Sequence, residues 1–398
     1  MFSTLSEAAV RSAAHQAARS FVVVAIATVL GCAKAVTPAP QPVGDLDAKG
    51  AAQQIARDFE KQLGVAATAR TVVIDPIRDR ASSQQTGVSV RLESDLSPAL
   101  AALKGMTVLP FDSSGASKAR YVVTGIVTSL EQADHYTLTV ALSDRQSGLV
   151  VAQSAARFTE AGLDRKPTRF FVESPVLVQD RSSVGYTKTA ETPAGSAADA
   201  LYISQVETSA LLADALAAYN AEKWQQALAG YTAASKRTDG QQLRTFNGLY
   251  LTNVRLGNTT GAEQAFGKIV QLGLETNNLA VKLLFRPGSA TEFWPGRDFS
   301  GVYPIWIRQL ARAMQASGHC LNVVGHTSRS GSEAVNDRLS LQRAETVKRL
   351  LEAEVRTLST RLRASGVGYR ENIIGTGTDD ERDAIDRRVE FKVVECQR

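Results

Sequence analysis

The hydrophobic period changes along this chain, and that change limits its fold more than any other feature. Between residues 121 and 152 apolar and polar residues alternate, as in Tyr121-Val-Val-Thr-Gly-Ile-Val-Thr128 and Tyr136-Thr-Leu-Thr-Val-Ala-Leu142. That is the two-residue period of a strand. From about residue 200 to 276 the spacing becomes helical, and after 278 short apolar runs alternate with helical stretches. A length of 398 residues also exceeds one ordinary domain. The expected class is therefore α+β and multidomain. Residues 47–180 form an N-terminal α/β domain, and 181–200, rich in small polar residues, form a linker. Residues 201–277 form helices, and 278–398 alternate strand and helix.

The first residues carry export information. Arg11 and Arg19 precede an apolar run, Phe21 to Leu30, that is too short for a bilayer span of roughly 20 residues. It fits the apolar region of a signal peptide. The quartet Val29-Leu30-Gly31-Cys32 resembles the lipobox of bacterial lipoproteins, although that pattern prefers a small residue where Leu30 stands. The resemblance implies a signal peptide over 1–31 and lipid (diacylglycerol and a further acyl chain such as palmitate) on Cys32. Several chains anchor far more firmly than one. Ala33 follows, rather than the Asp that retains lipoproteins in the inner membrane, which points to the outer membrane with the body in the periplasm. Residues 32–46 hold Pro38, Pro40 and Pro42 and read as an extended tether. The alternative is an ordinary cleaved signal with an incidental cysteine, or a buried apolar helix.

Export also bears on the two remaining cysteines. In an oxidising compartment Cys320 and Cys396 are candidates for a disulfide; the alternative is two buried thiols. Four histidines without any CxxC or HxxxH spacing support no metal site, and nothing calls for a cofactor. A net charge of +5 without a basic stripe interleaved with aromatics argues against nucleic acid.

In the N-terminal domain, 51–63 and 87–102 have helical spacing, with Val88, Leu92, Leu96 and Leu100 on one face. Residues 71–77, 105–111, 121–128, 136–142 and the stretch from Leu149 read as strands. His135 is read as a hairpin residue, and Asp75 and Asp79 as turn or cap residues. The blocks "VVIDPIRD", "ARYVVTGIVTSL" and "HYTLTVALSDRQSGLVVA" resemble the small periplasmic domains of the TolB N-terminal region, LpoB, FlgO and CsgG. That likeness implies a protein partner in the envelope; the alternative is an α/β spacer. In 201–277, Ala215, Tyr219, Trp224, Ala227, Tyr231 and Ala234 resemble a tetratricopeptide (TPR) repeat. Ala262, Phe266 and Ile269 follow 35 residues after Ala227 as a second copy. Two TPR-like hairpins are too few for a solenoid and need a neighbour to pack on.

The last 120 residues carry the most specific pattern. Strands are expected at 280–285, 321–324, 372–377 and 387–394, with helices at 302–317 and 333–351, a βαβαββ order. The blocks "LNVVGHTSRSGSEAVNDRLSLQRAETVKRLL", "IIGTGT" and "DRRVEFKVV" resemble the OmpA C-terminal family, which includes Pal and MotB. The resemblance implies an OmpA-like fold that binds peptidoglycan non-covalently at its diaminopimelate stem peptide. In the family an Asp meets the ammonium and an Arg the carboxylate, because a zwitterionic end needs both charges and the planar guanidinium fork suits a carboxylate.

Carried onto this chain, the Arg is Arg343, and the Asp position, fifteen residues earlier, is Ser328. Thr327 and Asn336 also match the motif, Asn336 as a brace of the loop, while Leu339 is core and His326 packs. Ser328 supplies no anion, and losing a charged partner at a half-buried site costs about 2–5 kcal/mol. Its hydroxyl, or Glu333 or Asp337 on the following helix, could stand in. Two further departures are the short stretch from 378 to 385 and Asp386 in place of the frequent Asn. No nucleophile stands with a base, so no enzyme is expected. The reading is an outer-membrane lipoprotein that associates with peptidoglycan and tethers or scaffolds unidentified envelope proteins. The alternative is an assembly or regulatory subunit whose OmpA-like domain no longer binds the wall.

Overall fold

The computed structural model describes residues 46–64, 69–132, 134–286, 288–293, 303–378 and 382–396. The expected signal segment, Cys32 and the expected tether up to residue 45 lie outside the described residues. Among those described, no helix is long and apolar enough to cross a membrane.

The N-terminal sheet begins with α1 (Ala48–Leu63), capped by Asp47, whose Oδ1 accepts from Gly50 N at 2.7 Å. β1 (Arg70–Ile74) and the two-residue β2 (Arg78–Asp79) lead to α2 (Gly87–Ala101). The start of α2 is fixed by a capping box between Thr86 and Ser89. Then come β3 (Met106–Leu109), α3 (Ser113–Lys118), β4 (Tyr121–Ser129), β5 (His135–Asp144) and β6 (Leu149–Thr159). The strand order is β3-β1-β4-β5-β6, with β2 against β4. β1 runs parallel to β3 and β4, while β4, β5 and β6 form an antiparallel meander. One face packs on α1 and α2 through Ile55, Phe59, Leu92 and Leu96 against Val123, Leu138 and Leu142.

Its other face is covered by the segment expected to be a linker. After α4 (Arg169–Glu173), residues 181–200 hold α5 (Arg181–Glu191), and α6 (Ala200–Ser204) follows. Tyr186 and Tyr202 pack on Val122 and Ile126, the alternate residues of β4. The linker expectation fails for two reasons. Asp180 and Ser183 form a capping box that starts a helix among small polar residues. The single aromatic residue, Tyr186, is buried with its hydroxyl donating to Gly125 O (2.8 Å) and accepting from Gly125 N (2.9 Å).

Next come α7 (Val206–Asn220), α8 (Trp224–Ser235), α9 (Leu243–Arg255) and α10 (Thr259–Glu275), packed in sequence as two helical hairpins. The aromatics and alanines singled out in sequence are core, apart from the half-buried Trp224. Gly248 shows why small residues are needed here: a Cβ on it would lie 2.2 Å from the Tyr231 ring. A tetratricopeptide identity does not follow from four helices alone.

The C-terminal part has the order β7 (Leu279–Val281), α11 (Tyr303–Ser317), β8 (Cys320–Gly325), α12 (Glu333–Glu354), β9 (Leu362–Gly366) and β10 (Val389–Val394). The sheet order is β7-β10-β8-β9, with β10 antiparallel to β7 and β8, and β8 parallel to β9. The βαβαββ order holds, but the third strand is 362–366 and not 372–377. Residues 373–378 cannot pair as a strand because two buried carboxylates take their N–H groups. Asp386 accepts from Ile373 N (2.6 Å), Ile374 N (3.1 Å) and Gly375 N (2.8 Å). Asp383 accepts from Thr376 N (3.0 Å) and Thr378 N (2.8 Å). The first strand is also shorter than expected, ending at Val281.

The boundaries at 180 and 277 do not separate cores. One hydrophobic cluster runs from Phe170 through α7 to α10 into β7, α11 and β10. Trp306 on α11 stacks on Phe266 of α10 (5.5 Å) and donates from Nε1 to the Tyr250 hydroxyl (2.6 Å). Residues 175–177 extend the C-terminal sheet beside β7: Leu177 N donates to Ala280 O (3.0 Å) and Lys282 N to Pro175 O (2.9 Å).

Candidate functional site

The loop between β8 and α12 gathers three of the four residues singled out. It starts at Gly325, where a Cβ would sit 2.0 Å from Ser340 O, so only glycine lets the strand end lie against α12. Thr327 N donates to Gly368 O (3.0 Å), and Gly368 N donates to Ser340 Oγ (2.9 Å). Asn336, in the first turn of α12, donates from Nδ2 to Ser330 O (2.7 Å) and Ser332 O (3.1 Å), which braces the loop. Asn372, with its amide turned so that both ends are satisfied, donates to Thr327 O (2.7 Å) and accepts from Arg329 N (3.2 Å). Ser328 is buried, its Oγ 3.4 Å from Ser330 Oγ.

Arg343 lies seven residues after Asn336, about two turns along α12 and on the same face. It is 1% exposed. Its Nε donates to Ser289 O (3.0 Å) and its Nη2 to Arg286 O (3.1 Å), while its guanidinium stands 5.2 Å from the Phe285 ring centre. Arg343 therefore ties α12 to the loop after β7. The two carboxylates considered as stand-ins for the missing Asp are already engaged. Arg370 Nη1 holds Glu333 at 3.2 Å and Asp337 at 2.6 Å. Sequence reasoning missed the carbonyls of residues 286 and 289 and the Asn372 clamp. All are contacts between distant segments with no local pattern.

Beneath the loop, His326 is fully buried, with Nε2 3.6 Å from Glu390 Oε2. Burial lowers its pKa, against the opposing pull of Glu390. Burial alone would raise the Glu390 carboxyl, yet His326 and Arg388 hold it well below the usual carboxylate range. His326, Glu371 and Glu390 bring possible metal-ligand atoms within 4.8 Å of one another. Arg388 donates to Glu390 (2.8 Å), and Lys392 lies 3.4 Å from both glutamates, so a cation would have to displace them. The charges are already balanced inside the cluster. Cys320 and Cys396 are joined by a disulfide at the far end of β8, about 16 Å along the strand from the loop.

Residues 304–386 match the model of the OmpA family. The C-terminal domain is an OmpA-family domain. No curated protein matches the chain. Among solved structures, the peptidoglycan-associated lipoprotein from Burkholderia pseudomallei is 21% identical, covering 29% of this chain and 89% of that one, at a TM-score of 0.24. The cell wall anchor of the T6SS from Pseudomonas aeruginosa is 26% identical, covering 29% and 78%, at 0.23. The LpoB C-terminal domain from Salmonella enterica is 18% identical, covering 29% and 100%, at 0.24. Scores this low carry no argument of their own. The OmpA-like assignment rests on the family match and on the βαβαββ order.

Proposed function

We propose that the chain is a non-catalytic lipoprotein of the bacterial outer membrane, held by lipid on Cys32, whose OmpA-like domain associates non-covalently with peptidoglycan. The observation that carries this reading is the OmpA family match over 304–386, with a buried arginine, Arg343, at the family's arginine position. By this reading the body stands in the periplasm, and the stem-peptide carboxylate meets Arg343. Thr327, Ser328 and Asn336 shape the loop beside it. The N-terminal α/β domain and the hairpins position envelope proteins.

A second reading is favoured by the chemistry of the loop. Ser328 is neutral, Glu333 and Asp337 share the single guanidinium of Arg370, and Arg343 bonds to backbone carbonyls. The ammonium of a zwitterionic ligand would have to compete with Arg370 for those two carboxylates. Under this reading the OmpA-like domain is a protein-docking module in an envelope assembly. A pull-down of the full chain in detergent on purified sacculi separates the two, using the wild type, Ser328→Asp and Arg343→Ala. Retention of wild type that is lost in Arg343→Ala supports the tether. Wild type left in solution, with Ser328→Asp retained, overturns it in favour of docking.

A further inference from the structure

A second site lies outside the OmpA-like domain. A cavity of about 250 Å³ sits where the N-terminal domain meets the hairpins, walled by the turn between β1 and β2, α2, α5, α7 and the start of α9. That volume is near the small end of ligand pockets, roughly 300–1,000 Å³. Phe171, Val178 and Leu216 give it apolar walls.

The polar groups in the wall differ in how far they are satisfied. Arg78 is paired with Asp75 at 3.0 Å and lies 3.8 Å over the Tyr186 ring. Asp180 caps α5 and also accepts from Leu243 N (3.2 Å). Asp214 accepts from Ser113 N and Oγ (both 3.2 Å). Arg244 differs: it is half-buried, and among the described residues none pairs with its guanidinium by hydrogen bond or ion pair. Burial, and after it the charge of Arg78, disfavours its charged form and outweighs the opposing pull of Asp75 and Asp180. Arg244 stands in the first turn of α9, whose end adds partial positive charge that Asp180, bonded to Leu243 N, offsets in part. Gln242 makes a separate observation. It is 6% exposed, its Nε2 donates to Asp239 O (2.6 Å), and its buried Oε1 has no hydrogen-bond partner. A buried acceptor left without a donor is uncommon and costs stability.

We infer that this cavity binds a small carboxylate that also carries an N–H donor and a short apolar side chain, a compound of dipeptide size. Arg244 takes the carboxylate in its planar fork, the Gln242 amide turns to bring its unpartnered Oε1 to the cavity surface and accept the N–H, and Phe171 and Leu216 cover the apolar part. An anion here offsets both the desolvation of Arg244 and its repulsion by Arg78. The same chemistry is offered by a free N-acyl amino acid and by the end of a peptide chain.

Isothermal titration of the full chain tests this with alanyl-leucine, alanyl-leucinamide and the tetrapeptide trialanyl-leucine. Saturable binding of alanyl-leucine is expected, at least tenfold weaker for the amide and for Arg244→Met, and severalfold weaker for Gln242→Leu. If Arg244→Met does not fold, Arg244→Lys and the amide comparison carry the test, with Arg244→Lys binding severalfold more weakly. Tetrapeptide binding as tight as the dipeptide identifies a chain end as the ligand; its exclusion identifies a free small molecule. No binding of alanyl-leucine, equal binding of the amide, or wild-type affinity in both Arg244 variants overturns the proposal.

Discussion

At the residue scale, the interior of the N-terminal domain is organised by charge. Asp75, Arg78, Tyr186 and Tyr202 form one buried network: Asp75 binds Arg78 (3.0 Å) and accepts from the Tyr202 hydroxyl (3.1 Å). Tyr186 lies against Arg78 and Tyr202 through its ring, and its hydroxyl serves Gly125 N and O; Tyr186→Phe would leave the buried Gly125 N–H without its acceptor and should cost about 1–3 kcal/mol in urea unfolding. Glu93 nearby supplies a pH dependence. Burial, and secondarily the charge of Asp75, pushes its carboxyl up to about 7, from 4.5 in the unfolded chain. The folded state thus binds the proton more tightly. Its stabilising effect is full below about pH 4.5 and is lost as pH rises through 7. Glu93→Gln should flatten that decline and raise stability at pH 8 by about 1–3 kcal/mol, read from urea unfolding at several pH values. An unchanged pH profile would show that Glu93 does not titrate in this range.

At the element scale, two devices hold the OmpA-like sheet where hydrogen-bond ladders are short. The first is the pair Asp383 and Asp386, which collects the amide groups of 373–376 and 378. Burial raises the Asp386 carboxyl despite three backbone donors. Asp386→Ala would leave those donors without an acceptor and should cost about 2–4 kcal/mol, seen as a lower unfolding midpoint in urea. The second is the Cys320–Cys396 disulfide, which closes a sequence separation of 76 residues between the ends of β8 and β10. Loop-closure entropy puts its worth at about 4 kcal/mol. Dithiothreitol should lower the unfolding midpoint by a matching amount, and Cys320→Ser should remove that sensitivity.

At the scale of the whole molecule, the hairpins and the OmpA-like domain share one core. Four helices alone would leave the outer face of α10 uncovered; α11 covers it through Trp306. The strip 175–177 adds the edge beside β7. Residues 169–396 should therefore unfold in one transition, with circular dichroism and tryptophan fluorescence coinciding. An isolated 278–398 fragment should bind a hydrophobic dye that the full chain does not. Two separated transitions would show that the shared core does not couple the parts. This shared packing is also why wall binding is best measured on the full chain.

What could be read from the sequence was whatever depends on neighbours along the chain. The two-residue period of 121–152 placed β4, β5 and the start of β6, and the helical period placed α1, α2 and α7 to α10. The blocks around Arg343 and "RRVEF" placed the OmpA-like domain, since periodicity and motif spacing are local quantities. The tertiary structure decided what depends on distant partners. It made a helix of 181–191 because Tyr186 finds Gly125. It made a loop of 372–377 because Asp383 and Asp386 outcompete a strand for its amides, and it put β9 at 362–366 beside β8. It turned Glu333 and Asp337 toward Arg370, and it left Arg244 at a cavity with no carboxylate in direct contact among the described residues. Composition cannot show which charge will be met and which left over, because that depends on the positions of groups a hundred residues apart.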